Sequence, residues 1–100
     1  MPDWKALALS RLRDIGWSAW DPIGLLTLGA DWRNEPFADE YDSYLIEAAS
    51  GLRDGWPVKK ATDYLLLIAS DHMGLSQVSR PAAEATAKAI ADYLRELDHR

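Results

Sequence analysis

Apolar residues return along this chain in steps of three and four, and that rhythm predicts helices throughout. The stretch Asp39 to Leu52 places Tyr41, Leu45, Ala48 and Leu52 on one stripe. Asp39, Glu40 and Asp42 crowd its expected first turn, where a helix favours carboxylates. The helix ends near Arg53, with Gly55 as terminator. Pro57 then opens a third helix to about His72, with Ala61, Leu65, Ile68 and His72 inward, and Met73-Gly74-Leu75 closes it. The short link Asp54-Gly55-Trp56 makes the two an antiparallel hairpin. Ser79 and Pro81 open a fourth helix, about Arg80 to Leu97, whose stripe is Ala83, Ala87, Ile90, Leu94 and Leu97.

The N-terminal third is less regular. Asp3 can cap a first helix to about Asp14, with Trp4, Ala6, Leu7, Ala8 and Leu12 inward and Lys5, Arg11 and Arg13 outward, and Gly16 is expected to stop it. From Trp17 to Pro36 no period of 2 or 3.6 persists, so this reads as a long ordered loop with one helical turn near Ile23 to Leu26. Leu25, Leu26 and Leu28 could form a short strand, but one strand without a partner makes no sheet. Asp21-Pro22 starts a turn in which the aspartate leaves helical geometry. Trp17, Trp20 and Trp32 argue that the loop is packed. The fold class that follows is all-α: a compact four-helix, mostly antiparallel bundle, one domain over residues 1–100, with a Trp-rich loop between the first two helices.

Composition changes the picture in three ways. With 48% hydrophobic and 27% charged residues the chain matches ordinary globular proteins, and no apolar run approaches the roughly 20 residues that span a bilayer. No membrane association and no signal peptide are expected; without cysteine, a cytoplasmic location is. A net charge of -5 disfavours nucleic acid and suits a basic protein partner.

Candidate chemistry is sparse. Asp39, Glu40 and Asp42 could meet Asp71 and His72 across the hairpin and hold a divalent metal, or serve a small hydrolase through Asp39, Asp42 and His72. Capping of two helix ends explains the same residues, and neither an HExxH nor a paired ExxH spacing occurs. No catalytic residue or cofactor is assigned: His72 and His99 are the two histidines, no serine lies in a GxSxG elbow, and no glycine-rich phosphate loop occurs. Five tryptophans in 100 residues are a surplus, and tryptophan is enriched at binding hot spots. Most of these rings serve to fill the core. Trp32 and Trp56, flanked by polar and turn residues, are expected nearest the surface, beside an acidic rim of Asp39, Glu40 and Asp42 suited to a basic partner.

The strings WDPIGL (Trp20 to Leu25), DEYDSY (Asp39 to Tyr44) and HMGL (His72 to Leu75) together resemble small uncharacterised bacterial proteins carrying WDPIG, DEYDSY and HMGL segments. The resemblance covers about Trp20 to Leu75, outside the first and last helices. It implies a compact all-helical bacterial protein and brings no cofactor or reaction; immunity and interaction proteins of similar architecture offer an analogy only. If the loop folds over the hairpin, Asp21, Tyr41, Tyr44 and His72 form one structural polar network. The functional expectation is an acidic protein-interaction module, with a metal-binding protein or hydrolase and a homodimer as alternatives.

Overall fold

The structure, a computed structural model, describes residues 4–22, 31–75 and 78–98. Four helices pack against one another: α1 Trp4–Ile15, α2 Asp42–Arg53, α3 Val58–Leu67 and α4 Arg80–Asp98, with no strand among the described residues. No helix among them is long and apolar enough to cross a membrane. Expectations that rested on Asp3, on Ile23 to Leu28 and on His99 lie outside the described residues, as do the inward placements of Trp4, Ala6 and Leu7.

Most of each predicted stripe lies in the core, with Leu52 and Leu97 half-buried at the ends of theirs. Leu12, Leu45, Leu65 and Ile90 are each fully buried, joined by Ala8, Ala48, Ala61, Ala83 and Ala87. The α3–α4 seam also buries Thr62 and Thr86, whose hydroxyls donate to the carbonyls of Val58 (2.9 Å) and Ala82 (2.7 Å) one turn back in their own helices. Neither threonine therefore carries an unsatisfied polar group into the core. Ser79 caps α4 by accepting from the Ala82 N–H at 3.1 Å. Gly55, at φ +107°, ends the α2–α3 hairpin connection as expected of a left-handed glycine.

Several boundaries differ from the pattern. Gly16 does not stop α1: the chain runs on through a wide π-type turn, Gly16–Trp20, closed by the Asp21 N–H donating to the Gly16 carbonyl at 2.9 Å. Gly16 is a point of close approach instead, since a Cβ there would stand 2.7 Å from Leu45 Cδ1. The stop is Asp21 itself, at φ 28°, ψ 62°, with Pro22 after it. A short 3-10 turn, Trp32–Asn34, lies within the expected loop. α2 begins at Asp42 rather than Asp39, because residues 37 to 41 form successive turns, with Glu40 N–H donating to Phe37 O (3.0 Å) and Asp42 N–H to Asp39 O (3.1 Å). Asp39 and Glu40 thus precede the helix, and Asp42 alone sits in its first turn. Pro57 lies just outside α3, and past Leu67 a second wide turn, Ile68–His72, carries the chain to Gly74 at φ +69°. His72, expected inward, is exposed because that wider turn breaks the 3.6 rhythm that would have faced it to the core.

Candidate acidic turn on an aromatic floor

The wide turn after α1 fixes where Trp17 and Trp20 point, and both rings are buried. Trp17 lies 5.3 Å from the ring of Phe37 and 4.7 Å from that of Tyr41, and its Nε1–H donates to the Ala38 carbonyl at 3.1 Å. Trp20 lies 5.3 Å from Tyr41 and 6.4 Å, edge-on, from Tyr44; His72 continues the series edge-on to Tyr44 at 5.9 Å. Offset and edge contacts of this kind add about 0.5–1.5 kcal/mol each beyond the area they bury. The series runs from the turn before α2 to the end of α3, so it ties three segments of chain together.

Above this floor is the segment Asp31 to Asp42, with five carboxylates against the single arginine Arg33. Asp31, Asp39 and Glu40 are exposed. Asp31 accepts from the Arg33 N–H at 3.1 Å and pairs with its guanidinium at 3.3 Å, while that guanidinium lies 4.6 Å from the centre of the Trp32 ring. Below, Trp32 Nε1–H donates to Asp14 Oδ1 at 3.3 Å. Trp32 is 8% exposed, which corrects its expected place nearest the surface: its polar neighbours in sequence turn outward while the indole turns under the segment and reaches α1.

Asp42 accepts two hydrogen bonds from Arg13, Nε to Oδ1 at 2.8 Å and Nη2 to Oδ2 at 2.6 Å. This fork is the strong geometry for an arginine–carboxylate pair, and both side chains are more than two-thirds buried. The hydrogen bond to Asp42, with Asp42 and Asp39 charge behind it, holds the Arg13 pKa above its ordinary value. Arg13 was expected to face outward. Its partner lies 29 residues further along the chain, and no local pattern carries such a pairing.

The polar network is found in part. Tyr41, 1% exposed, donates its hydroxyl to Asp21 Oδ1 at 2.8 Å, joining the end of the wide turn to the start of α2. Tyr44 and His72 adjoin it through their rings rather than through that hydrogen bond. Asp42 faces Arg13, and His72 faces the Tyr44 ring. Among the described residues, no three His, Cys, Asp or Glu side chains are grouped to hold a metal ion.

Trp56 belongs to the far end of α2. It is half-buried, with its ring 6.0 Å from Tyr64 and the Lys60 ammonium 4.8 Å from its centre. Since α2 runs 12 residues, about 18 Å at 1.5 Å per residue, Trp56 is far from Asp39 and Glu40. The two halves of the expected partner surface, indole anchor and acidic rim, therefore do not adjoin. No protein-family profile, no curated protein and no solved structure matches the chain.

Proposed function

We propose that the chain is a protein-interaction module, an immunity or regulatory protein acting in the cytoplasm, that presents the Asp31–Asp42 turn to a basic partner. One observation carries this reading: Asp31, Asp39 and Glu40 stand in solvent on a segment held from beneath by Trp17, Trp32 and Tyr41, all buried. A segment ordered before binding loses less conformational entropy on docking, and carboxylates fixed in place steer a cationic partner. Asp42 belongs to the scaffold through Arg13, so the exposed acids are the contact residues.

The test is titration of a lysine-rich peptide into the full chain, followed by calorimetry at rising salt. Affinity is expected to fall with ionic strength, as surface charge contacts do within a Debye length of about 10 Å at 0.1 M. The double variant Asp39→Asn, Glu40→Gln is expected to weaken binding with only a small loss of thermal stability, from the Asp39 charge behind Arg13. Salt-independent binding, or the same affinity in that variant, would refute the acidic-turn reading. Sedimentation of the free chain decides separately whether it pairs with itself.

A further inference from the structure

Arg33 is the single cation in the segment 31–42, among five carboxylates. Its guanidinium lies over the Trp32 ring, 4.6 Å from the centre, and its Nη1 meets Asp31 Oδ1 at 3.3 Å. An indole face beside a carboxylate seats a guanidinium by both of its recognition modes, because the plane stacks on the ring while the N–H edge meets the anion. The seat is filled from within the chain, yet solvent reaches it: the Arg33 and Asp31 side chains are 57% and 50% exposed. Trp32 is 8% exposed with that guanidinium in place, so another cation reaches the ring face by moving Arg33 aside.

The internal occupant fits its seat poorly. Arg33 stands two residues from Asp31, whose Oδ1 also accepts the Arg33 backbone N–H at 3.1 Å, and this tether limits how the guanidinium can approach. Among the described residues the guanidinium makes one hydrogen bond, at 3.3 Å, where Arg13 on Asp42 makes two, at 2.8 and 2.6 Å, in the forked geometry. An arginine arriving on another chain has no such tether and can fork onto Asp31 while stacking on Trp32. Exposed ion pairs and exposed cation–π contacts are each weak, so little holds Arg33 in place. Lysine gains less there, since its ammonium is a point charge with no plane to stack and no fork. We infer that Arg33 is an internal stand-in for an arginine of the basic partner, which displaces it to sit between Trp32 and Asp31. The inference rests on the basic-partner reading; it adds which cation the turn selects and the contact that keeps the seat covered until that cation arrives.

The experiment titrates the full chain with arginine-rich and lysine-rich peptides of equal length, and with methylguanidinium alone, followed by calorimetry and by NMR of the Trp32 indole. The arginine-rich peptide is expected to bind more tightly and to shift the Trp32 signal. Arg33→Gln is expected to widen its advantage over the lysine-rich peptide about two- to fivefold, the strength of the stacking contact that no longer has to be displaced. Asp31→Asn, which keeps an acceptor for the Arg33 N–H, is expected to remove the advantage. Both substitutions fall at exposed positions, and melting curves check that the variants fold. An equal gain for both peptides in Arg33→Gln is the loss of one repelling charge and overturns the inference. A Trp32 signal unmoved by the bound arginine-rich peptide also overturns it, and salt-dependent binding of both peptides then leaves the acidic turn standing. Methylguanidinium that shifts Trp32 in Arg33→Gln, with neither peptide binding, supports the guanidinium seat and removes the basic-partner reading. No shift from methylguanidinium and no binding of either peptide overturns both.

Discussion

Gly51 allows a direct test of how the far end of the hairpin is packed. It lies buried in α2, and a Cβ built there would stand 2.2 Å from Trp56 Cε3, 2.3 Å from Cδ2 and 2.6 Å from Cε2. Carbon contacts are comfortable at about 3.5–4.0 Å, so the indole cannot remain where it is. It cannot bend, and the Trp56 N–H is tied to the Gly51 carbonyl at 2.9 Å, so it must rotate out and leave Tyr64 and Lys60. Two effects oppose each other in Gly51→Ala. Alanine is favoured over glycine in a helix by about 0.5–1 kcal/mol. Overpacking costs about 1–3 kcal/mol, and the lost ring and cation–π contacts add about 1 kcal/mol more. The net expectation is destabilisation by about 1–3 kcal/mol in urea unfolding. In a Trp56→Ala background the clash is gone, and the same change is expected to stabilise by about 0.5–1 kcal/mol. The double-mutant cycle then gives a coupling of about 1.5–4 kcal/mol, with a reversal of sign between backgrounds. A coupling below about 0.5 kcal/mol would show that the ring is not seated on Gly51 and would refute the packing argument.

Other expectations follow from the same geometry. Tyr41→Phe removes the hydroxyl bonded to Asp21 and should cost about 1 kcal/mol in urea unfolding; Asp21→Ala should cost more, adding about 1–2 kcal/mol for the left-handed backbone, and equal effects of Asn and Ala at position 21 would contradict this. Arg13→Gln leaves Asp42 part-buried without its fork and should destabilise by about 1–3 kcal/mol, an effect that Asp42→Asn in the same chain should largely absorb. Burial, then the charges of Glu47 and Tyr44, raise the Tyr64 pKa above 10.0, so its contribution to stability is present below that pH and is lost as pH rises through the folded value; Tyr64→Phe should flatten the alkaline end of the stability curve. Hydrogen bonds from Lys59 and Arg80 lower the Asp63 pKa, so its contribution is present above the ordinary value and lost as pH falls through the lowered one, and Arg80→Ala should raise its NMR titration midpoint.

The helices were legible because the signals that make them are local. Ala83, Ala87, Ile90 and Leu94 repeat at helical spacing and are buried; Ser79 and Gly55 act through their immediate neighbours. What the pattern could not carry were features set by distant contacts. Gly16 has the composition of a stop, but Leu45 in α2 needs its missing Cβ, and the chain keeps winding. Trp32 has the sequence surroundings of a surface residue, but Asp14 in α1 accepts its indole proton. The candidate site divides in the same way. A hydroxyl bond to Asp21 from Tyr41 or Tyr44 was legible from turn and hydroxyl chemistry, and the structure gives it to Tyr41, whereas Asp39 and Glu40 precede the helix whose first turn they were expected to fill. Arg13 as the partner of Asp42 was not legible, because an amphipathic pattern assigns a face without naming what lies across from it.

Where α4 meets its neighbours, Ala83, Ala87 and Thr86 are wholly covered, so methyl groups fix how near the backbones come. A bulkier side chain at those buried positions would overpack the seam, while Lys88, Asp92 and Arg95 on the open side can be exchanged for other polar residues. Lineages descending from a common ancestor would therefore keep the cadence of small residues long after their outward letters had diverged. Kinship with this chain will be visible in that cadence before it is visible in identity.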